Sequence, residues 1–223
     1  MSQKHFIVCS HGFGVAKDDR GLFPDAVASI ADAEIIMFNY GIVDEHQKTV
    51  IVTPFSHQVK TLEGVLSETR GKHPDAIIDL VCHSQGCITA ALLAPKNIRR
   101  TIMLSPPYRL DVQKTIDRFK QNPQTLIDMN GVSHLVRADG TTTIVPKEFW
   151  EEARDKHPVE LYNIFSEITD LFIVNANQDN VLGAEDSTGL SRKIKNANMD
   201  GDHGFKGDAR MGLKLFIQNI LKK

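Results

Sequence analysis

Short apolar runs rich in Ile, Val, Leu and Phe recur along the chain, at residues 6–9, 35–38, 77–82, 101–104 and 171–174. They are too short for ordinary helices and lack the strict alternation of a half-solvated strand. Each is therefore predicted as a strand covered on both faces, the arrangement of a parallel sheet between helices. Helical patterns separate them. Thr53 and Pro54 signal a helix start, with Phe55, Val59, Leu62 and Leu66 following at i, i+4, i+7 and i+11 and Gly71 as the stop. Pro24 opens a second predicted helix through Ala31, and near the C-terminus Leu213, Phe216, Ile217, Ile220 and Leu221 share one stripe. The alternation predicts the α/β class with right-handed crossovers. With few residues ahead of the first strand, we expect a mostly parallel central sheet of about six strands, flanked by helices.

The alternation breaks between Pro106 and about Thr169. Asp139-Gly140, set between 133–138 and 141–145, reads as a two-residue hairpin turn. Two helices opened by Pro146 and Pro158 follow, the second with Leu161, Phe165 and Ile168 on one side. Long connections in a compact domain tend to be functional, so residues 107–169 are read as an inserted cap. It would lie over the ligand-binding edge of a core made by 1–106 and 170–223.

A chain of 223 residues is of one-domain size. Lys and Arg number 26 against 28 Asp and Glu, without a block of like charge, so nucleic acid is not the expected partner. The longest apolar run falls well short of the roughly 18 residues of a membrane span, and 6–9 is too short for the core of a secretory signal. Cys9, Cys82 and Cys87 lack metal-ligand spacing and read as reduced, buried thiols of a cytoplasmic protein.

The chemistry centres on the run from 77–82 into His83-Ser84-Gln85-Gly86, after which 87–94 reads as a helix. Strand, sharp turn and helix around a serine form the G-x-S-x-G pattern, here with the small residue Cys82 at the first glycine position. The plainer reading is a serine capping that helix. A nucleophilic serine needs a base, and the base a carboxylate, in the chain order Ser, Asp or Glu, His. His134 and His157 fall in the cap, whereas His203 follows the last predicted strand, in Gly201-Asp202-His203-Gly204. Asp179 lies just past the strand 171–174, where catalytic groups gather in open α/β sheets. Either residue alone reads as an ordinary turn aspartate or surface imidazole; together with Ser84 they form a candidate triad.

Two backbone donors are expected for the oxyanion, Gln85 N–H after the serine and Phe13 N–H in Ser10-His11-Gly12-Phe13-Gly14. The latter loop is not a dinucleotide fingerprint, since no G-x-G-x-x-G is present. No metal or organic cofactor is expected, because nothing resembles H-E-x-x-H. His83 is assigned packing or pocket lining. The cap aromatics Phe119, Phe149, Trp150, Tyr162 and Phe165 either line an acyl or aryl pocket or pack the cap onto the core.

Four stretches, 11–14, 82–86, 176–179 and 202–205, carry a family resemblance. They are similar to an HGFG oxyanion loop, a nucleophile elbow, a G-x-x-D acid loop with Ala176 in the glycine position, and a D-H-G histidine loop. The chain thus resembles the α/β-hydrolase superfamily, and more narrowly small capped serine esterases related to monoacylglycerol lipases, serine aminopeptidase-like hydrolases and bacterial cinnamoyl esterases. The resemblance spans nearly all of the chain except the cap. It implies a Ser84-His203-Asp179 hydrolase acting on a small-molecule acyl or aryl ester through an acyl-enzyme. Amide, thioester or peptide substrates, a cofactor-free lyase or perhydrolase, and a non-catalytic binding homologue remain open at this point.

Overall fold

In the computed structural model, residues 3–28, 30, 32–183 and 187–222 are described. The elements run β1 (His5–Ser10), α1 (Leu22–Val27), β2 (Ala33–Met37), β3 (Ile42–Asp44), β4 (Thr49–Ile51), α2 (Phe55–Lys72), β5 (Ile77–His83), α3 (Gln85–Leu93) and β6 (Arg100–Leu104). Then come α4 (Val112–Lys120), β7 (Val132–Val136), β8 (Thr142–Pro146), α5 (Lys147–Arg154), α6 (Pro158–Phe165), β9 (Asp170–Ala176), β10 (Lys195–Met199) and α7 (Asp208–Leu221).

Six strands pair, all in parallel, in the order β10-β9-β6-β5-β1-β2. Five of them are the apolar runs, and the two-sided burial that predicted them is visible residue by residue. Along β1 and β5, Val8, Ile78 and Leu80 pack with Leu62 of α2, Ile88 of α3 and Tyr162 of α6. Ile7, Cys9 and Val81 point the other way, onto Phe23 of α1 and Leu213 and Ile217 of α7. Burying each such side chain contributes about 1.5–3 kcal/mol, so the sheet is held from both faces. The sixth strand, β10, is the polar edge segment Lys-Asn-Ala-Asn-Met. It carries no apolar signature, and its pairing with β9 alone defines it.

Several boundaries differ from expectation. Helix α1 begins two residues before Pro24 and ends at Val27; Ala31 lies outside the described residues. In α2 Pro54 is the N-cap residue, and the helix passes Gly71 to end at Lys72, because Pro74 disfavours helical backbone at His73. Helix α6 buries Pro158, Tyr162 and Phe165, whereas Ile168 lies beyond its end and is exposed. The β7–β8 hairpin closes through three residues rather than two. Arg137 N–H donates to Thr141 O and Gly140 N–H to Arg137 O, with Gly140 at φ +79°, the left-handed position such a loop requires. Helix α4 buries only Ile116 and Phe119, too short a stripe to stand out in the sequence.

A second sheet has the order β3-β4-β8-β7. Its inner pair is parallel, Thr49, Val50 and Ile51 lying opposite Thr142, Thr143 and Ile144. Residues 42–51, which precede α2, therefore build one sheet with a hairpin from 132–146.

All three cysteines are free and buried. Burial pushes the Cys82 thiol up to about 12, so it stays protonated and unreactive. Among the described residues no helix is long and apolar enough to cross a membrane.

Candidate active site

Strand β5 ends at His83 and α3 begins at Gln85, leaving Ser84 alone on the turn between them, at φ 51° and ψ −122°. Positive φ in a residue with a side chain is uncommon and persists where surrounding contacts over-determine it, often at functional sites. Here Ser84 N–H donates to Leu104 O at 2.9 Å, pinning the turn to β6. The Ser84 hydroxyl makes no capping hydrogen bond, which removes the plainer reading of this serine. Gly86 is required by close approach: a Cβ there would lie 2.2 Å from the Ser10 carbonyl oxygen at the end of β1. Cys82 instead packs fully buried in the core, which is why that position tolerates a side chain. Gly86→Ala should overpack this contact and lower Tm by about 5 °C or more in thermal unfolding. An unchanged Tm would contradict the contact.

Asp179 follows β9, and its Oδ1 accepts the backbone N–H groups of Val181 and Leu182, each at 2.8 Å. Its Oδ2 accepts from His203 Nδ1 at 2.7 Å. Burial alone would push the Asp179 carboxyl up, but the His203 bond and the two amides hold it below the usual range. Burial also lowers His203, and this outweighs the opposing pull of Asp179. The ring is then neutral near pH 7, with the Nδ1 proton on the carboxylate side. Among the described residues Nε2 has no hydrogen-bond partner, and the ring lines the same cavity as Ser84.

His83 has more structure around it than its sequence position suggested. Its Nε2 lies 2.9 Å from His203 O and its Nδ1 2.8 Å from Asp19 Oδ2. Both ring nitrogens face acceptors, so both carry protons: His83 is an imidazolium in a buried ion pair with Asp19. Burial would lower His83, but Asp19 outweighs it and holds the ring above its ordinary range. The same Asp19 oxygen accepts Gly12 N–H at 2.7 Å. The pair thus ties the loop after β1 to the elbow and to the histidine loop. Asp19 was not anticipated from sequence. Nothing in its setting, Asp18-Asp19-Arg20-Gly21, connects it to a histidine 64 residues away.

The two expected oxyanion donors, Phe13 N–H and Gln85 N–H, are uncommitted among the described residues. Gly12 brings the loop of Phe13 against the elbow, since an added Cβ would sit 3.3 Å from Ser84 Cβ. Arg137 of the hairpin donates through Nη2 to Phe13 O at 2.8 Å, fixing that loop from above.

Two cavities meet at Phe13, Ser84, Arg118 and Val181. The narrower, about 110 Å³, is walled on one side by Leu110, Phe149, Trp150, Val181 and Leu182. The wider, about 760 Å³, is lined by His203 together with Phe119, Arg118 and Arg137. Of the aromatics in the expected cap, Phe119, Phe149 and Trp150 therefore reach a cavity. Tyr162 and Phe165 are fully buried in the core, with Tyr162 donating its hydroxyl to Pro107 O. Among the described residues no group of three or more His, Cys, Asp or Glu is arranged to hold a metal ion.

A parallel sheet covered on both faces, with a serine on a strained strand-to-helix turn, an acid loop after β9 and a histidine loop before α7, is the α/β-hydrolase fold, and this chain adopts it. Solved structures share it across nearly the whole chain. One is Est1E from Butyrivibrio proteoclasticus bound to ferulic acid (TM-score 0.69, 16% identity, 99% of this chain and 91% of that chain). Another is the esterase domain of a Rhodothermus marinus protein (TM-score 0.65, 12% identity, 98% and 86%). A third is an alpha-beta serine hydrolase homologue from Coxiella burnetii (TM-score 0.58, 16% identity, 97% and 84%). No protein-family model matches the chain, and no curated protein sequence does.

Proposed function

We propose that the protein is a serine hydrolase of carboxylic esters, with Ser84 as nucleophile, His203 as base and Asp179 as the group that orients the base. The observation that carries this reading is the Asp179–His203 hydrogen bond at 2.7 Å beside a serine held at positive φ in the same cavity. The esterase names of the neighbouring structures agree with it. Ser84 Oγ attacks the ester carbonyl as its proton passes to His203 Nε2, and Asp179 stabilises the imidazolium so formed. The oxyanion is held by Phe13 N–H and Gln85 N–H. His203 then returns the proton to the leaving alcohol, and water, activated by the same ring, hydrolyses the acyl-enzyme.

The narrow cavity is small, about 110 Å³, which favours a short acyl chain there. We further propose that the cap comprises residues 107–169 joined by the hairpin of β3 and β4. The three buried thiols fit a reducing, cytoplasmic setting.

A fluorophosphonate probe should label the protein at Ser84, with labelling lost in Ser84→Ala. Among 4-nitrophenyl esters, butanoate should be cleaved faster than octanoate. An unlabelled wild-type protein inert to every ester would favour a binding protein instead.

A further inference from the structure

The wide cavity carries a charge imbalance that acyl transfer does not use. Arg20, Arg118, Arg137, Lys206 and Arg210 line it against only Asp19 and Asp202. Some of these charges are already matched: Arg20 pairs with Asp139 at 3.0 Å, Arg210 with Asp25 at 2.8 Å, and Asp19 with His83.

Arg118, Arg137 and the exposed Lys206 form no ion pair among the described residues, and the hydrogen bonds of the two arginines go to neutral oxygens. Arg118 Nη1 reaches Val181 O at 3.5 Å; Arg137 donates through Nε to Thr143 Oγ1 at 3.0 Å and through Nη2 to Phe13 O at 2.8 Å. Their guanidinium carbons lie 5.1 and 5.3 Å from the centroid of one ring, Phe119, which brings the two cations together. The carboxylate that acts on Arg118, Asp179, is committed to His203 and to two amides. Burial, with Arg20 and Arg118 nearby, pulls Arg137 down to about 10; the carboxylates that oppose this, Asp139 and Asp19, are paired with Arg20 and His83. Two partly buried guanidiniums without a directly paired carboxylate are costly, and a carboxylate or phosphate relieves that cost through charge-assisted, often bidentate bonds.

The position of the pair selects the part of the substrate concerned. His203 must hand a proton to the leaving alcohol, and His203 and Arg137 line the wide cavity but not the narrow one, while Arg118 stands where the two cavities meet. We propose, on the serine-hydrolase reading above, that the substrate is a short-chain ester whose alcohol portion carries an anionic group, bound by Arg118 and Arg137. The shared chemistry is a cluster of anionic oxygens, from either a carboxylate or a phosphate.

The test compares 3-(butanoyloxy)benzoate and 3-(butanoyloxy)phenyl phosphate with the uncharged 3-(butanoyloxy)benzamide. In the wild-type protein kcat/KM for at least one anionic ester should exceed that for the amide-bearing ester by about tenfold or more. The anion with the larger ratio identifies the source. In Arg118→Gln and Arg137→Gln the ratio should fall toward one, with partial rescue in Arg118→Lys; a ratio taken within each variant cancels any general loss of activity. A wild-type ratio at or below one for both anions, or one unmoved in both variants, overturns the proposal.

A second measurement is independent of turnover. By calorimetry, 3-hydroxybenzoate or 3-hydroxyphenyl phosphate should bind the wild-type protein at least tenfold more tightly than 3-hydroxybenzamide. Equal binding of all three overturns the anion site. Preferential anion binding in a protein that neither reacts with the fluorophosphonate nor cleaves an ester sustains the anion site and sinks the hydrolase reading alone.

Discussion

His203→Ala is expected to lower kcat for a short-chain ester by about 10³ to 10⁴-fold, with KM changed far less. The expectation rests on the two ends of the imidazole. Nδ1 is committed to Asp179 at 2.7 Å, while Nε2 has no partner among the described residues and lies on the cavity shared with Ser84. On the proposed mechanism such a neutral ring would take a proton from the serine at one end while the carboxylate steadies the charge at the other. Its pKa is depressed from 6.5, chiefly by burial, and the base is competent only above that pKa. In the wild-type protein kcat/KM should therefore rise with pH and level off, with a midpoint below 6.5. That limb should vanish in His203→Ala. Near-normal turnover in the variant, or a wild-type midpoint above 7, would show that another group is the base.

Asp19→Asn should cost about 3–5 kcal/mol of stability, read as a fall in Tm of roughly 10 °C at pH 6. A single oxygen, Oδ2, accepts from both Gly12 N–H and His83 Nδ1–H. Asparagine turned to offer oxygen to both leaves the buried imidazolium without a counter-charge; turned to offer nitrogen, it confronts Gly12 N–H. The pH dependence has a definite sign. Burial would raise Asp19, but His83 outweighs it, so the folded-state pKa is depressed; that contribution is present above the ordinary carboxylate pKa and fades as pH falls through the depressed value. His83 is raised, so its contribution is complete below 6.5 and fades as pH climbs through the raised value. The difference in Tm between wild type and variant should thus be largest between about pH 4 and 6.5 and shrink on both sides. The ring centroids of His83 and His203 lie 4.8 Å apart, so the substitution should also lower activity by disturbing the histidine loop. A Tm within about 2 °C of wild type throughout would refute the buried ion pair.

The parallel core was legible because its strands are covered on both faces, and burial on both faces writes continuous apolar runs into the sequence. The elbow was legible for a different reason: its geometry demands small residues at fixed offsets from a serine, and Gly86 meets that demand against Ser10. What escaped depends on partners far away in the chain. Strand β10 exists through hydrogen bonds to β9, which any polar residue can supply. Strands β3 and β4 are three residues each and join a sheet whose other half comes more than 80 positions later, as Thr49 opposite Thr142 illustrates. Asp19 is an unremarked loop carboxylate until the fold sets it against His83. The arginines of the wide cavity were likewise invisible, because a guanidinium in sequence gives no sign of whether a carboxylate waits for it.

The parallel pairing of β4 with β8 builds the second sheet from two distant points of the chain. Cutting out 107–169 as a cassette would strip β4 of β8, one of its two neighbours, and leave that edge unpaired and ready to recruit other strands. Transplanting this segment onto another protein of the same fold would therefore require grafting both pieces together.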